Sequence, residues 1–165
     1  MRLSKGVEWA AHACALIGAL PEDWALSKDD LAEFLGVAPP YLAKQLQALS
    51  RAGLVRAQRG VSGGYRLART PEAITLWDVT AAVEGQAPAF RCTEVRQSGP
   101  CPAKGDECAH PCEIAWAFWQ AETAYREALK AVTLADLIMQ TTQSASASRK
   151  ADIKIWMDTK ASRPA

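Results

Sequence analysis

The chain has 165 residues, 49% of them hydrophobic and 22% charged, with a formal net charge of +1. Such a composition belongs to one compact globular domain, alone or with an appendage, and its total charge commits it to neither nucleic acid nor membrane. No uncharged apolar run approaches the roughly 20 residues that a bilayer span requires, and Glu8 and His12 interrupt the start of the chain where a signal peptide would be apolar, so a cytoplasmic protein is expected. Five cysteines, an odd number, in a reducing compartment point to metal or redox chemistry rather than to a disulfide framework.

Residues 4–20 open the chain with a helical stripe of Val7, Ala10, Ala11 and Cys14; Ser4 is the expected N-cap and Pro21 the stop. Glu8 and His12 stand four residues apart, so their side chains share one face, turned about 100° or more from that stripe. Cys14 lies on the stripe and reads as core. Ser27, followed by Asp29 and Asp30, begins a second helix through Leu31, Phe34 and Leu35 that ends at Gly36. Pro39 or Pro40 suits the first turn of a third helix, with Leu42, Leu46 and Leu49 inward and an end at Gly53.

Helix, glycine turn and helix form a helix-turn-helix pattern, whose second member reads the major groove with its first turns. Tyr41, Lys44 and Gln45 lie there, off the leucine face. Two short strands follow, 54–58 and 65–67, around the glycine-rich segment 59–64. A hairpin at this place is a wing, with Arg59 and Arg66 able to reach phosphates. A nucleotide-binding glycine loop fits worse, because no helix N-terminus and no Lys-Ser/Thr pair follows the glycines. Charge agrees with DNA: the 38 residues between Glu33 and Glu72 carry +6, whereas the other 127 carry −5. The expected DNA-contacting set is Tyr41, Lys44, Gln45, Arg51, Arg59, Ser62 and Arg66.

Thr75 caps a short helix from Leu76 to Val83, closed by Gly85. Cys92, Cys101, Cys108 and Cys112 then fall within 21 residues rich in proline and glycine, a loop long enough to have a task of its own. From Glu113 to Val132 runs the longest helical candidate, apolar around much of its perimeter: Ile114, Trp116, Phe118, Trp119, Tyr125 and Leu129. That breadth reads as a dimer seam, with an ordinary core helix as the alternative. Thr133 begins a last short helix, Leu134 to Met139. The expected organisation is a DNA-binding winged helix over 1–85, a cysteine loop over 86–112, a dimerisation helix with a short terminal helix over 113–140, and a flexible tail over 141–165. Within that tail, Ile153, Ile155 and Trp156 hint at a docked turn. The fold class is mainly α with a small β wing. No nucleophile–base motif, phosphate loop or paired carboxylates suggest an enzyme.

Several segments together resemble one family, the Rrf-two-type winged-helix regulators with their IscR-like and NsrR-like members, over about Met1 to Gln140. They are Pro40-Tyr41-Leu42 with Gln45-Leu46, Ala52-Gly53-Leu54-Val55, Gly60-Val61-Ser62-Gly63-Gly64-Tyr65-Arg66-Leu67, Ile74-Thr75-Leu76-Trp77-Asp78-Val79, and the downstream cysteines. The resemblance implies a homodimeric DNA-binding transcription factor, often with a [2Fe-2S] cluster in each protomer. The family's evenly spaced cysteine trio is not kept here: the gaps are eight, six and three residues. Val7-Glu8-Trp9-Ala10 with His12 is instead similar to the redox-sensitive subgroup typified by RsrR. That likeness implies a cluster held by Glu8, His12, Cys92 and Cys112; because the two pairs lie about 80 residues apart, the first is expected from one protomer and the second from its partner. Replacing thiolates with imidazole raises a cluster's potential, to about −150 to +300 mV in Rieske sites against about −400 mV in all-cysteine plant types. Cys101 and Cys108 would be spare, and His110 is the rival imidazole. Two other readings stay open: a structural zinc held by Cys101, Cys108, His110 and Cys112, and a metal-free thiol switch. A symmetric dimer would need an inverted-repeat operator with half-sites about 34 Å apart.

Overall fold

The computed structural model describes residues 3–58, 60 and 63–163. Among these described residues seven α-helices and one hairpin follow in order: α1 (Lys5–Gly18), α2 (Lys28–Leu35), α3 (Pro39–Arg51), β1 (Val55–Gln58), β2 (Gly64–Leu67), α4 (Leu76–Glu84), α5 (Glu113–Lys130), α6 (Leu134–Ser144) and α7 (Ala147–Lys160). The fold is therefore mainly helical with a two-stranded wing, as the sequence pattern predicts.

Local chemistry sets most element boundaries. Ser27 accepts the Asp30 N–H at 3.1 Å, and Gly36 ends α2 in the left-handed region at φ 62°. Thr75 with Asp78, and Thr133 with Asp136, form reciprocal capping boxes at the starts of α4 and α6. These two starts lie side by side: the Leu76 N–H donates to Val132 O and the Leu134 N–H to Ile74 O. Ser4 departs from expectation. It precedes α1, but its side chain makes no capping bond, and its backbone N–H donates to Glu84 at 3.0 Å.

One apolar core joins the winged helix. Ala10, Cys14 and Ile17 of α1 meet Leu31 of α2, the Leu42–Leu46–Leu49 row of α3, Leu54, Val55, Ile74, Val79 and Leu134. The wing pairs Val55 with Leu67, Arg56 with Arg66, Ala57 with Tyr65 and Gln58 with Gly64. Leu26 extends this small sheet by exchanging backbone bonds with Tyr65 at 3.3 and 2.7 Å. Gly64 permits the approach, since a Cβ there would stand 2.7 Å from the Leu26 carbonyl oxygen.

The tail is the largest correction to the sequence reading. Most of the described residues beyond 140 are helical and not a flexible tail: α6 runs to Ser144, and α7 (Ala147–Lys160) returns to the helix-turn-helix. Low-complexity Ser/Ala composition hides this, because the order comes from tertiary packing. The Trp156 ring meets Phe34 of α2 with centroids 4.8 Å apart, and Ser162 bridges Ala25 through two backbone bonds. The docked turn hinted at by Trp156 is thus a whole helix.

Candidate functional site

Helix α3 presents an outward row of Pro40, Tyr41, Lys44, Gln47 and Arg51, all exposed. Tyr41 is 64% exposed at the start of this row, where a recognition helix meets base edges. Gln45 does not belong to it. It is buried, its amide pressed against Gly6 of α1 so closely that a Cβ on Gly6 would stand 2.9 Å from Gln45 Cδ. Position 45 flanks the leucine row on the side where α1 crosses, so Gln45 joins two helices and does not face a groove. Gln47, which the sequence reading missed, takes its place; its spacing of three from Lys44 and four from Arg51 was the available signal.

Arg66 is also drawn inward. Its side chain is 10% exposed and its guanidinium lies 3.3 Å from Asp23, a residue in the left-handed region at φ 68° in the turn after Pro21. Arg56, directly across the wing from Arg66, is the exposed cation among the described residues of that hairpin. Arg51 is exposed in the last turn of α3, and Arg59 and Ser62 lie outside the described residues.

The cysteine segment is an ordered loop with two short 3-10 turns, Val95–Gln97 and Gly105–Cys108. Its entrance is clamped to α5. The Glu122 carboxylate, buried, accepts the Ala89 N–H at 3.1 Å and pairs with Arg126. Arg126 donates to the Gln86 carbonyl at 3.0 Å and lies over the Trp77 ring of α4. One residue further, Phe90 stacks on Phe118 with centroids 4.6 Å apart.

Arg96 closes the loop on itself. Its guanidinium grips the Glu94 carboxylate and donates to the carbonyls of Glu107 at 2.9 Å and His110 at 2.8 Å. This hydrogen-bonded pair holds the Glu94 carboxyl below its usual range. The same Glu94 contact strengthens the Arg96 cation, with smaller contributions from the nearby Cys108 and Cys112 sulfurs.

Cys92 and Cys112 are half-buried, and each sulfur accepts a backbone N–H: from Glu94 at 3.4 Å and from Ala115 at 3.3 Å. Cys112 occupies the N-cap of α5. Cys108 is half-buried and Cys101 exposed, while His110 lies exposed with its carbonyl on Arg96. Cys14 is fully buried in the core, and burial pushes its thiol up to about 12. It is chemically quiet, as its place on the apolar stripe predicts.

Glu8 and His12 sit exposed on successive turns of α1. Within one protomer they do not join the cysteines: among the described residues no three His, Cys, Asp or Glu side chains converge as a metal-holding group. The zinc quartet of Cys101, Cys108, His110 and Cys112 is not assembled in this structure either. The donor types present, two thiols that each accept an N–H on one loop and an exposed carboxylate–imidazole pair on α1, are ones that iron–sulfur iron accepts.

Fold and surface define a winged helix-turn-helix DNA-binding regulator rather than an enzyme. The Rrf2 family profile, described as an iron-dependent transcriptional regulator, matches residues 3–140, and the chain belongs to that family. The chain is 29% identical over 140 residues to the transcriptional regulator NsrR of Geobacillus kaustophilus, covering 84% of this chain and 90% of that one. Among solved structures, CymR, the global cysteine regulator of B. subtilis, superposes with a TM-score of 0.67 at 23% identity, over 85% of this chain and 98% of CymR. The IscR of T. potens gives 0.65 at 24% identity, over 91% and 96%. Both likenesses support the fold. No helix among the described residues is long and apolar enough to cross a membrane.

Proposed function

We propose that this DNA-binding regulator senses redox state through a [2Fe-2S] cluster held by Glu8 and His12 of one protomer and Cys92 and Cys112 of its partner. One observation carries the reading: the helix that bears the exposed Glu8–His12 pair is also packed on the recognition helix. Gly6 rests on Gln45, and the Trp9 ring lies 6.3 Å from that of Tyr41 at the reading end of α3. When bound, such a cluster supplies one-electron exchange. Everything else is work for the chain. The Cys92 and Cys112 sulfurs, each already accepting an N–H, hold iron from the loop side. Glu8 and His12 would close the site from α1. A shift of α1 between two packings, differing by a few kcal/mol, then changes where Tyr41 and Lys44 stand.

The partner is supplied by α5. Of its eighteen residues only Ala115 and Glu122 are buried, while Ile114, Trp116 and Phe118 are at least half exposed. Two copies packed along this face form a two-fold dimer, and two reading heads call for an inverted-repeat operator.

The test is anaerobic purification, with iron and sulfide analysis and visible spectra in both redox states, on the parent, Glu8→Ala and His12→Ala. The parent should be coloured, and both variants should lose absorbance and redox-dependent DNA binding. Intact spectra and redox response in both variants would refute the ligand set. A colourless, zinc-loaded parent would refute the cluster while sparing the DNA-reading role.

A further inference from the structure

Helix α7 lies beyond residue 140, where the match to the family profile ends. Its partners are the reading head. Trp156 packs on Phe34, and the Lys160 ammonium lies 2.7 Å from Glu33 and 3.5 Å from Asp30, both on α2. Arg163 stands over the Trp24 ring at 4.6 Å. Past α7, Ala161 enters the core, and Ser162 exchanges bonds with Ala25 at 3.0 and 2.8 Å. Since Leu26 bridges Tyr65, the chain end is continuous with the wing through one short stretch of backbone.

The charge on α2 gives these contacts a purpose. The first helix of a helix-turn-helix crosses the phosphate backbone. Here it carries Asp29, Asp30 and Glu33 against Lys28 alone, and Lys28 already sits 3.4 Å from Asp29. Acidic residues suit a helix N-terminus, but the same carboxylates repel phosphate. A net −2 helix is out of place at a DNA surface unless something offsets it.

We infer that α7 is a strap that completes the DNA-reading head: Trp156 and the Ser162–Ala25 bridge hold α2 and the wing in register, and Lys160, shared between Asp30 and Glu33, offsets one of the two negative charges that α2 would otherwise present to phosphate. Lys160 and Trp156 are thus positioning residues for DNA binding. The inference rests on the DNA-binding class alone and stands or falls independently of the cluster.

The test measures binding of the full chain to a random-sequence duplex of about 30 base pairs by fluorescence anisotropy across a salt series, since this sequence-independent binding reports electrostatics directly. Melting temperatures are followed in parallel. Lys160→Glu should bind roughly tenfold more weakly at about 0.1 M salt, and the deficit should shrink as salt screens the repulsion. Its melting temperature should stay near the parent's, because a solvent-screened surface ion pair adds little to stability. Lys160→Glu combined with Glu33→Lys restores the pair and should recover the affinity. Trp156→Ala should weaken binding at temperatures where the protein remains folded by circular dichroism. The inference is overturned by parental or tighter binding in Lys160→Glu, by a loss that the charge-swapped pair does not recover, or by a Trp156→Ala protein that binds as the parent does.

Discussion

Glu122→Ala removes the carboxylate that fixes the entrance of the cysteine loop. Two bonds go with it, one from the Ala89 N–H and one from Arg126, whose side chain is 27% exposed. A hydrogen bond to a charged group contributes about 1.5–3 kcal/mol, so the gross loss is about 3–6 kcal/mol. Against this, Glu122 is itself 8% exposed, and deleting it relieves the cost of keeping a carboxylate out of water. The net destabilisation should be about 2–3 kcal/mol, which for a chain of this size lowers Tm by about 5–10 °C. An ordinary exposed i,i+4 pair would cost only about 0.3–0.5 kcal/mol, or roughly 1–2 °C, so the two pictures are well separated. Thermal unfolding by circular dichroism on Glu122→Ala, Glu122→Gln, Arg126→Ala and the Ala/Ala double variant measures it. Glu122→Gln keeps an acceptor for Ala89 and should recover part of the loss, and the double variant should show a coupling of about 1 kcal/mol or more. A shift within about 2 °C for Glu122→Ala, or strict additivity in the double variant, would refute the clamp.

Gly6→Ala places a methyl 2.9 Å from the Gln45 amide; better helix propensity offsets the crowding, so Tm should move little while DNA affinity falls several-fold, and parental affinity by anisotropy would contradict the Gly6–Gln45 coupling. Cluster-free protein treated with iodoacetamide should react first at exposed Cys101 and not at Cys14 until unfolding, as peptide mass mapping reads directly. Asp136 has its folded pKa held below 3.8 by the hydroxyl and N–H of Thr133. Its contribution is therefore present above about pH 4 and lost as pH falls through the folded value, because the unfolded chain takes up the proton first. The Tm advantage of the parent over Asp136→Asn should shrink steadily from pH 5 to pH 2, and a constant gap would contradict the cap's role.

What the sequence made legible is what one element can encode alone. Ser27, Thr75 and Thr133 announce helix starts because the carboxylate that completes each cap stands three residues on, and Gly36 announces an end because its φ is positive. What stayed hidden depends on a second element. A wheel drawn for α3 cannot separate Gln45 from Gln47 without knowing where α1 crosses. Strand alternation likewise puts Arg56 and Arg66 on one face of the wing, and only Asp23, delivered by the turn after Pro21, draws Arg66 inward. The order of α7 is hidden for the same reason, since Phe34 and Ala25 supply its docking surface from the other end of the chain.

The proposed ligand set ties sensing to assembly through one residue. Cys112 is the N-cap of α5, so the sulfur that would hold iron also accepts the Ala115 N–H at the start of the helix that exposes Ile114, Trp116 and Phe118. Anything that moves α5 against a partner copy moves Cys112 with it, and the Glu122–Ala89 and Phe90–Phe118 contacts make Cys92 follow. Both thiols are thus tied through these contacts to α5, the helix that bears the exposed apolar face. Glu8 and His12, by contrast, travel with α1, whose neighbours are Gln45 and Tyr41 of the recognition helix. A ligand shared between these two helices would sit at the one junction where the seam of one protomer could act on the reading head of the other. By linkage, whatever strengthens ligation across that junction must also strengthen the dimer by the same free energy.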